Sequence, residues 1–565
     1  MTHVVGTNHM RGHAMIIRAA TLMVMLVAGA AQAWAAAEPD QQWIVVTGSA
    51  FEAALEPLCD YRRAEGMRVR VVLTTDVLTE EQIRGGEANA LVERVHQLCN
   101  GFEGTNYVLL VGAAVVNGPD VDLRTVAPAP RSAVGRMDGA PSDNVYGCAE
   151  GGLEPTVAVG RFPARTAADV RQMVAKTLAF ERDDAPRSWR NRLTVLVGHP
   201  GGETAFEKQM AGSFAQQVTT ARLGRVAPAW TGRVIIHASG SPFNVSRERL
   251  DATALAYLQE GQMFWFYLGH SGASGCTSDG VGMLGREALA SLKIRRGRGV
   301  FITCGCNGVQ LEGPDGEGYG LAAMRNPDGP IAVFGAHGES YAAMGLLVLE
   351  GLFDRVNKFE GEQRVGDHWL AAKRGIARGA MDAMTFQMYD QFDGSGGTVP
   401  LKDQRLEHLE MWMLLGDPAA RLPVQPTVIR MDSDAAAAPD GVITVSGTVP
   451  AEFAEAAVRL TLERPLGSAP IGLAPLPADP AKVAEVMMAN HQRANDVVLD
   501  TYEVRASDGR FEFDMRLPAE LPWRQLTVRA WASKDSKSAM GVLSLPVGRV
   551  SGGSPAWPDH GQGGR

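Results

Sequence analysis

Residues 262–309 constrain this chain more than any other stretch. They hold two short apolar runs, 263–268 (Met-Phe-Trp-Phe-Tyr-Leu) and 300–303 (Val-Phe-Ile-Thr). Glycine halts each run, in Gly269-His270-Ser271-Gly272 after the first and in Cys304-Gly305-Cys306-Asn307-Gly308 after the second. Aromatic and β-branched runs of this length, stopped by Gly, read as buried strands. Between them, 286–292 carries enough helix formers for a crossover. Two parallel strands joined in this way bring His270 and Cys306 together at their carboxyl ends, the edge where open α/β sheets bind ligands. An imidazole beside a thiol there is the arrangement that activates a sulfur nucleophile.

The flanks repeat the alternation. Strands are expected at 42–47, 68–74, 107–111 and 157–159, with helices at 50–65, 79–98 (opened by a Thr79-x-x-Gln82 capping box) and 166–182. A second half starts at strand 193–197 and continues through helix 203–221, strand 234–237 and helix 246–260 into the central stretch. Beyond it come strand 331–334, helices 342–353 and 367–381, and an apolar segment 407–415 stopped by Gly416-Asp417-Pro418. Alternating β and α segments imply a parallel sheet covered on both faces. The expected fold is therefore α/β, a two-part parallel-sheet catalytic unit with halves at 38–190 and 191–424. After Pro423 the segments shorten to strands separated by turns, the pattern of an immunoglobulin-like β-sandwich over 425–550, with a helical insertion at 481–495. The Gly/Pro-rich 551–565 reads as a disordered tail.

Residues 1–37 read as a secretory signal peptide: Arg11 and Arg18, an apolar run 19–31, and small residues around Ala31-Gln32-Ala33. The run is too short for a comfortable membrane span, so the mature protein is expected to be exported, in a periplasmic, cell-surface or extracellular setting, with no integral membrane span. Net charge is −9 over 565 residues, which argues against nucleic acid as a partner. In an oxidising compartment the six cysteines have reason to pair, and a disulfide between Cys59 and Cys99, on helices flanking one strand, is an expectation.

Taken in order, these segments resemble gingipain-type cysteine peptidases of the caspase–legumain clan. Asn106-Tyr107-Val108-Leu109-Leu110-Val111-Gly112 looks like the family's first central strand. Pro141-Ser142-Asp143-Asn144-Val145-Tyr146-Gly147 and Val159-Gly160-Arg161-Phe162 look like its next markers. Gly269-His270 and Cys306-Asn307-Gly308 resemble its catalytic segments, and Leu415-Gly416-Asp417-Pro418 its closing motif. The resemblance implies a caspase-like catalytic unit, a Cys-His peptidase, and an immunoglobulin-like domain after it. It also implies a carboxylate ahead of the Gly-Arg-Phe strand that orients the His. Thr156 stands at that position, and Glu154 two residues earlier is the nearest acid. The pattern departs from the family in two further places. Ser271 follows the His where Gly is usual, and Cys306 lies one residue closer to Gly308 than the family's Cys-x-x-Gly, Cys304 one residue farther.

The chemistry then reads as follows. Cys306 is the nucleophile, with Cys304 as the alternative; a cysteine at a strand end also serves plainly as a buried core thiol. His270 is the general acid/base, and His337, which also follows a buried strand but comes after the cysteines, is its rival. Gly272 and the Cys306 N–H are the oxyanion donors, although Gly272 is equally explained as a turn residue. Glu154 is the candidate that orients His270. No cofactor is required; calcium as a structural ion is the remaining option, through Asp143/Glu150 or Asp315/Glu317. No His-Glu-x-x-His, phosphate-binding loop, zinc ribbon or Gly-x-Ser-x-Gly elbow is present, so no metal is assigned to catalysis. The expected function is an exported cysteine endopeptidase acting on protein or peptide substrates through a thioester. The alternatives are a non-catalytic surface or binding protein on the same fold and a sortase-like transpeptidase.

Overall fold

Each glycine-halted run becomes a strand, because a buried extended segment satisfies its backbone only by pairing with neighbours. The computed structural model describes residues 39–548 apart from 184–187, 202–203, 314, 359–361 and 536; the expected signal peptide at 1–37 and tail at 551–565 lie outside the described residues. The first half comprises β1 (Gln41–Thr47), α1 (Glu52–Ala64), β2 (Arg68–Leu73), α2 (Asn89–Asn100), β3 (Thr105–Val111), β4 (Ala158–Phe162) and α3 (Ala167–Glu181). The second opens with β5 (Arg192–Val197), α4 (Ala205–Leu223), β6 (Thr231–Ile236), α5 (Leu250–Gln259) and β7 (Gln262–Leu268). It continues through β8 (Ser271–Gly272), β9 (Gly275–Ser278), β10 (Val281–Gly285), α6 (Arg286–Ser291), β11 (Arg298–Cys304), α7 (Tyr319–Arg325) and β12 (Ala332–Ala336). Four helices follow, α8 (Ala342–Val356), α9 (Val365–Arg378), α10 (Ala383–Asp393) and α11 (Leu401–Met411), and β13 (Trp412–Gly416) closes it.

The two expected halves share one ten-stranded sheet of order β2-β1-β3-β4-β13-β12-β11-β7-β5-β6. The last strand in sequence, β13, is the seam: it runs antiparallel to β12, and its Leu415 faces Arg161 of β4. The sheet is thus mixed and mainly parallel. The close approach at the seam explains Gly160, where a Cβ would come within 2.3 Å of the Gly416 carbonyl oxygen. Helices on both faces bury Trp43, Val108, Phe264, Trp265 and Phe301, and the last two rings stack at 4.0 Å. Burying each such aromatic contributes on the order of 2–3 kcal/mol. The closing Gly-Asp-Pro does more than end a strand. Asp417 accepts from Trp43 Nε1 at 3.0 Å and pairs with the buried Arg62 guanidinium, which also binds Glu181, so one guanidinium joins α1, α3 and the end of β13.

Several expectations change. The helix expected at 79–98 breaks at Gly85-Gly86, where Gly86 takes φ 70°, and α2 restarts at Asn89. Segment 407–415 divides between the end of α11 and β13. The link between the two central strands is not a simple helical crossover. A small antiparallel sheet of order β10-β9-β8 precedes α6. Residues 383–393, for which no element was expected, form α10, capped by the Asp382 side chain. All six cysteines are free, so the expected Cys59–Cys99 disulfide is not formed. With β1 between β2 and β3, the two crossovers travel in opposite directions; having the same hand, they put α1 and α2 on opposite faces. The sheet stands between the two thiols.

Residues 430–546 build β14 (Arg430–Ser433), β15 (Val442–Thr448), β16 (Ala457–Glu463), α12 (Pro480–Asn495), β17 (Val498–Arg505), β18 (Arg510–Arg516), β19 (Gln525–Lys534) and β20 (Lys537–Pro546). Two antiparallel sheets, β14-β15-β18 and β17-β16-β19-β20, enclose a second core around Ile443, Val445, Leu460, Met515 and Val528. The expected insertion is α12, and it binds back to the large sheet. Asn495 bonds both the N–H and the C=O of Val234, covering the free edge of β6, and His491 Nε2 meets the Tyr257 hydroxyl at 2.6 Å. No described helix is long and apolar enough to cross a membrane.

Candidate active site

The register of β7 and β11 sets the site. The strands are parallel with Leu268 opposite Cys304, so two further residues on each chain carry His270 and Cys306 to the same edge. Gly305 packs so tightly there that a Cβ would lie 2.3 Å from Ser271 Oγ and 2.8 Å from the Gly269 oxygen. Asn307 turns the chain with φ 57° and donates its N–H to the Gly338 oxygen at 2.9 Å. The two segments are therefore locked against each other immediately below the His and Cys side chains.

His270 is held from one side. Its Nε2 is 2.9 Å from the Pro200 carbonyl oxygen, which can only accept, so Nε2 carries the hydrogen. In the neutral ring that leaves Nδ1 as the basic nitrogen. Asp393, at the end of α10, places Oδ1 4.0 Å from Nδ1. The same carboxylate acts on Cys306. Burial raises the Cys306 thiol above its ordinary pKa, and the negative charges of Asp393 and Glu339 push it further up, against a Ser340 backbone hydrogen bond and the positive charge of Arg136. Burial likewise raises Asp393, while His270 lowers it. Burial thus favours the thiol form of Cys306, with Sγ 3.6 Å from the Ser340 oxygen, and attack by the sulfur calls for a base.

The wall carrying Ser340 is braced. The Tyr341 N–H donates to His408 Nε2 at 3.0 Å, while His408 Nδ1 donates to the Gln404 oxygen at 2.7 Å. The Arg136 guanidinium lies 3.9 Å above the Tyr341 ring and donates to Glu407 and to the Glu339 carbonyl.

The other expected residues sort clearly. Cys304 is still within β11, and strand alternation sends its side chain toward Gly345 of α8; burial raises its pKa far above the ordinary value. His337 directly follows β12 but is 6% exposed, with its N–H on the Met411 oxygen and burial lowering its pKa. Glu154 does not reach His270. It precedes β4, four places from β7 in the sheet, and its carboxylate pairs with Arg378 at 2.8 Å. The orienting group beside His270 is instead the Pro200 carbonyl, with Asp393 the near acid. Gly272 pairs with Gly275 in the small hairpin, and a Cβ there would meet nothing within 4 Å. Among the described residues the Cys306 N–H has no acceptor.

Two of the four suggested calcium ligands, Asp143 and Glu317, are already paired with arginine. Both oxygens of Asp143 bind the buried Arg161 guanidinium, at 2.7 and 2.8 Å, and Glu317 is shared between Arg325 and Arg165. Guanidinium-neutralised carboxylates offer little to a hard cation that wants several oxygens. Among the described residues no group of three or more His, Cys, Asp or Glu is placed to hold a metal. Pro200, Asp393, Ser340 and His408 went unnoticed in the sequence. Only Asp393 carried any signal, an acid just before Gly394-Ser395-Gly396-Gly397, and nothing local tied it to His270.

A family model described as peptidase family C25 matches residues 36–423. Among solved structures, the chain is similar to the complex of Porphyromonas gingivalis RgpB pro- and mature domains, at 15% identity and TM-score 0.50, covering 90% of this chain and 100% of that one. It is also similar to the Arg-specific cysteine proteinase gingipain R, at 16% identity and TM-score 0.51, covering 91% and 99%. A third match, titled only as the structure of a protease, has 13% identity and TM-score 0.50, covering 90% and 97%. Identities this low establish a shared fold. No curated protein matches.

Proposed function

The chain belongs to peptidase family C25 and is a cysteine-type endopeptidase; from that premise we propose that Cys306 and His270 carry the reaction. The observation behind the proposal is the strand register that lines Leu268 up with Cys304 and brings His270 and Cys306 to one sheet edge, with Asp393 4.0 Å from His270 Nδ1. The Cys306 sulfur attacks the scissile carbonyl carbon as its proton passes to His270 Nδ1, with Nε2–H steadied by the Pro200 oxygen. The oxyanion is received by the free Cys306 N–H, while the expected second donor, Gly272, has its backbone paired with Gly275. Collapse breaks the C–N bond, and the imidazolium protonates the departing nitrogen. Water, deprotonated by His270, then cleaves the thioester and restores the thiol. These steps call for no metal and no organic cofactor.

The rest of the chain is read as a delivery and support system. Residues 1–37 direct export, since a basic start, a short apolar run and an Ala-x-Ala exit are what a secretory leader needs. Residues 38–190 and 191–424 are the two parts of the catalytic unit. Residues 425–550 are an immunoglobulin-like domain, a reading supported by two antiparallel sheets around one core.

Peptide-library cleavage by the wild type, Cys306→Ala and Cys304→Ala tests the assignment, alongside an electrophilic thiol probe located by mass. Cys306→Ala should lower cleavage by at least about 10³-fold and abolish labelling, while Cys304→Ala keeps most activity. Cleavage surviving in Cys306→Ala but lost in Cys304→Ala would move the nucleophile. Wild-type protein that neither cleaves nor labels would make the chain a binding protein on a peptidase fold. Products whose mass includes an added amine would make it a transpeptidase.

A further inference from the structure

Two helices approach His270, and each leaves large apolar side chains uncovered. Helix α4 begins shortly after Pro200, whose carbonyl holds His270, and carries Phe206 at 73% exposure and Met210 at 57%. Helix α10 ends at Asp393 beside His270 Nδ1, and the preceding residue, Phe392, is 84% exposed. Farther along, Phe214 of α4 touches Tyr389 of α10, ring centroids 5.5 Å apart. With the start of one helix and the end of the other both at His270, the helices are antiparallel. Met210 is one turn before Phe214 and Phe392 one turn after Tyr389, so Met210 and Phe392 lie on the His270 side of that ring contact, with Phe206 one turn farther along α4. Large apolar groups clustered in the open mark a binding surface.

The reaction says which part of a substrate reaches it. As Cys306 sulfur bonds to the carbonyl carbon and the C–N bond breaks, the electron pair goes to the departing nitrogen, and His270 supplies its proton. That nitrogen must therefore sit on the His270 side of the sulfur, and the chain it carries continues away from Cys306, over α4 and α10. The half that stays as thioester lies on the Cys306 side, toward Ser340 and Glu339. We propose that Phe206, Met210 and Phe392 form a specificity subsite for apolar side chains in the first two positions after the cut bond. The proposal rests on the Cys306–His270 reading above.

The test uses the mature chain and peptides randomised before the cut bond, with Leu or Phe, Gly, or Asp in the two positions after it. A methyl ester of the best-cleaved acyl half, which presents nothing beyond methanol to the subsite, serves as reference for each variant. The wild type should prefer Leu or Phe over Asp by about tenfold or more in kcat/KM. In Phe392→Ser and Met210→Ser, scaled to each variant's own ester hydrolysis, that preference should fall to within about twofold. Absence of a preference in the wild type, or one that survives both substitutions, overturns the subsite while leaving the peptidase standing. Wild-type protein that hydrolyses neither peptide nor ester overturns the underlying reading instead. A dimer in sedimentation that both substitutions dissociate, with the preference intact, assigns the patch to a second copy and also overturns the subsite.

Discussion

Ser271 Oγ lies 2.7 Å from the carbonyl oxygen of Cys306 and donates to it. The residue after the histidine therefore holds the backbone of the residue that bears the sulfur. Ser271 is itself held by the Tyr319 hydroxyl at 3.3 Å, and Tyr319 is bonded to Thr303 of β11. This is where the chain departs from the family pattern of Gly after His, and the departure adds a direct tie between the two segments. Ser271→Ala should leave folding intact and lower kcat about three- to tenfold with little change in KM, as expected for one lost hydrogen bond. Steady-state kinetics on a single peptide checks it; a change confined to KM would speak against a positioning role.

Asp393 acts on both reacting groups, and removing its charge separates the effects. The Cys306 thiol is raised first by burial and then by Asp393 and Glu339. In Asp393→Asn the thiolate loses a repelling neighbour, so the midpoint of iodoacetamide alkylation against pH should move down. Alkylation near neutral pH should quicken about three- to tenfold, as a charge several ångströms away through partly solvated protein implies. Peptide cleavage should fall, because the imidazolium loses its nearby carboxylate. An unshifted alkylation profile would remove Asp393 from the site.

Acid stability should depend on two buried histidines. Burial drives His368 and His408 from the ordinary 6.5 down to about 3. Below pH 6.5 the unfolded chain takes up protons that the folded chain refuses, so folding stability falls as pH drops from 6.5 toward 3. At pH 5 each histidine costs about 2 kcal/mol. His408 also accepts the Tyr341 N–H behind Ser340, so its protonation loosens the wall against Cys306. Urea unfolding at pH 7 and pH 5 should show a smaller difference in His408→Gln than in the wild type by about that amount. Equal differences would show that His408 titrates normally.

The Arg161–Asp143 pair should be structural. Arg161 is fully buried, binds both oxygens of Asp143, and donates to the Gly112 and Ala127 carbonyls. Asp143→Asn should cost about 3–5 kcal/mol, because it strands a buried guanidinium. Thermal unfolding measures the loss, and the same variant should bind calcium no differently from wild type by titration calorimetry. A calcium-dependent stabilisation removed by Asp143→Asn would return that carboxylate to a metal site.

The chain's own order of residues determined the strands, their glycine stops and the sheet edge that carries His270 and Cys306. Those features are local: a run such as 263–268 is too apolar to stay in water and too short and aromatic for a helix, and Gly269 ends it. The tertiary structure decided what surrounds the pair. Pro200, Ser340 and Asp393 come from three distant segments, and a backbone carbonyl leaves no mark in a residue pattern. Glu154 looked right by its place along the chain, but Arg378, far off in sequence, claims its carboxylate across the fold. Cys59 and Cys99 had a compartment and a count that favoured pairing, and the handedness of two crossovers put a sheet between them. Periodicity and turn chemistry act over a few residues and can be read in order. Charge pairing, hydrogen-bond orientation and which face a helix covers are settled by contacts that exist only once the sheet has closed.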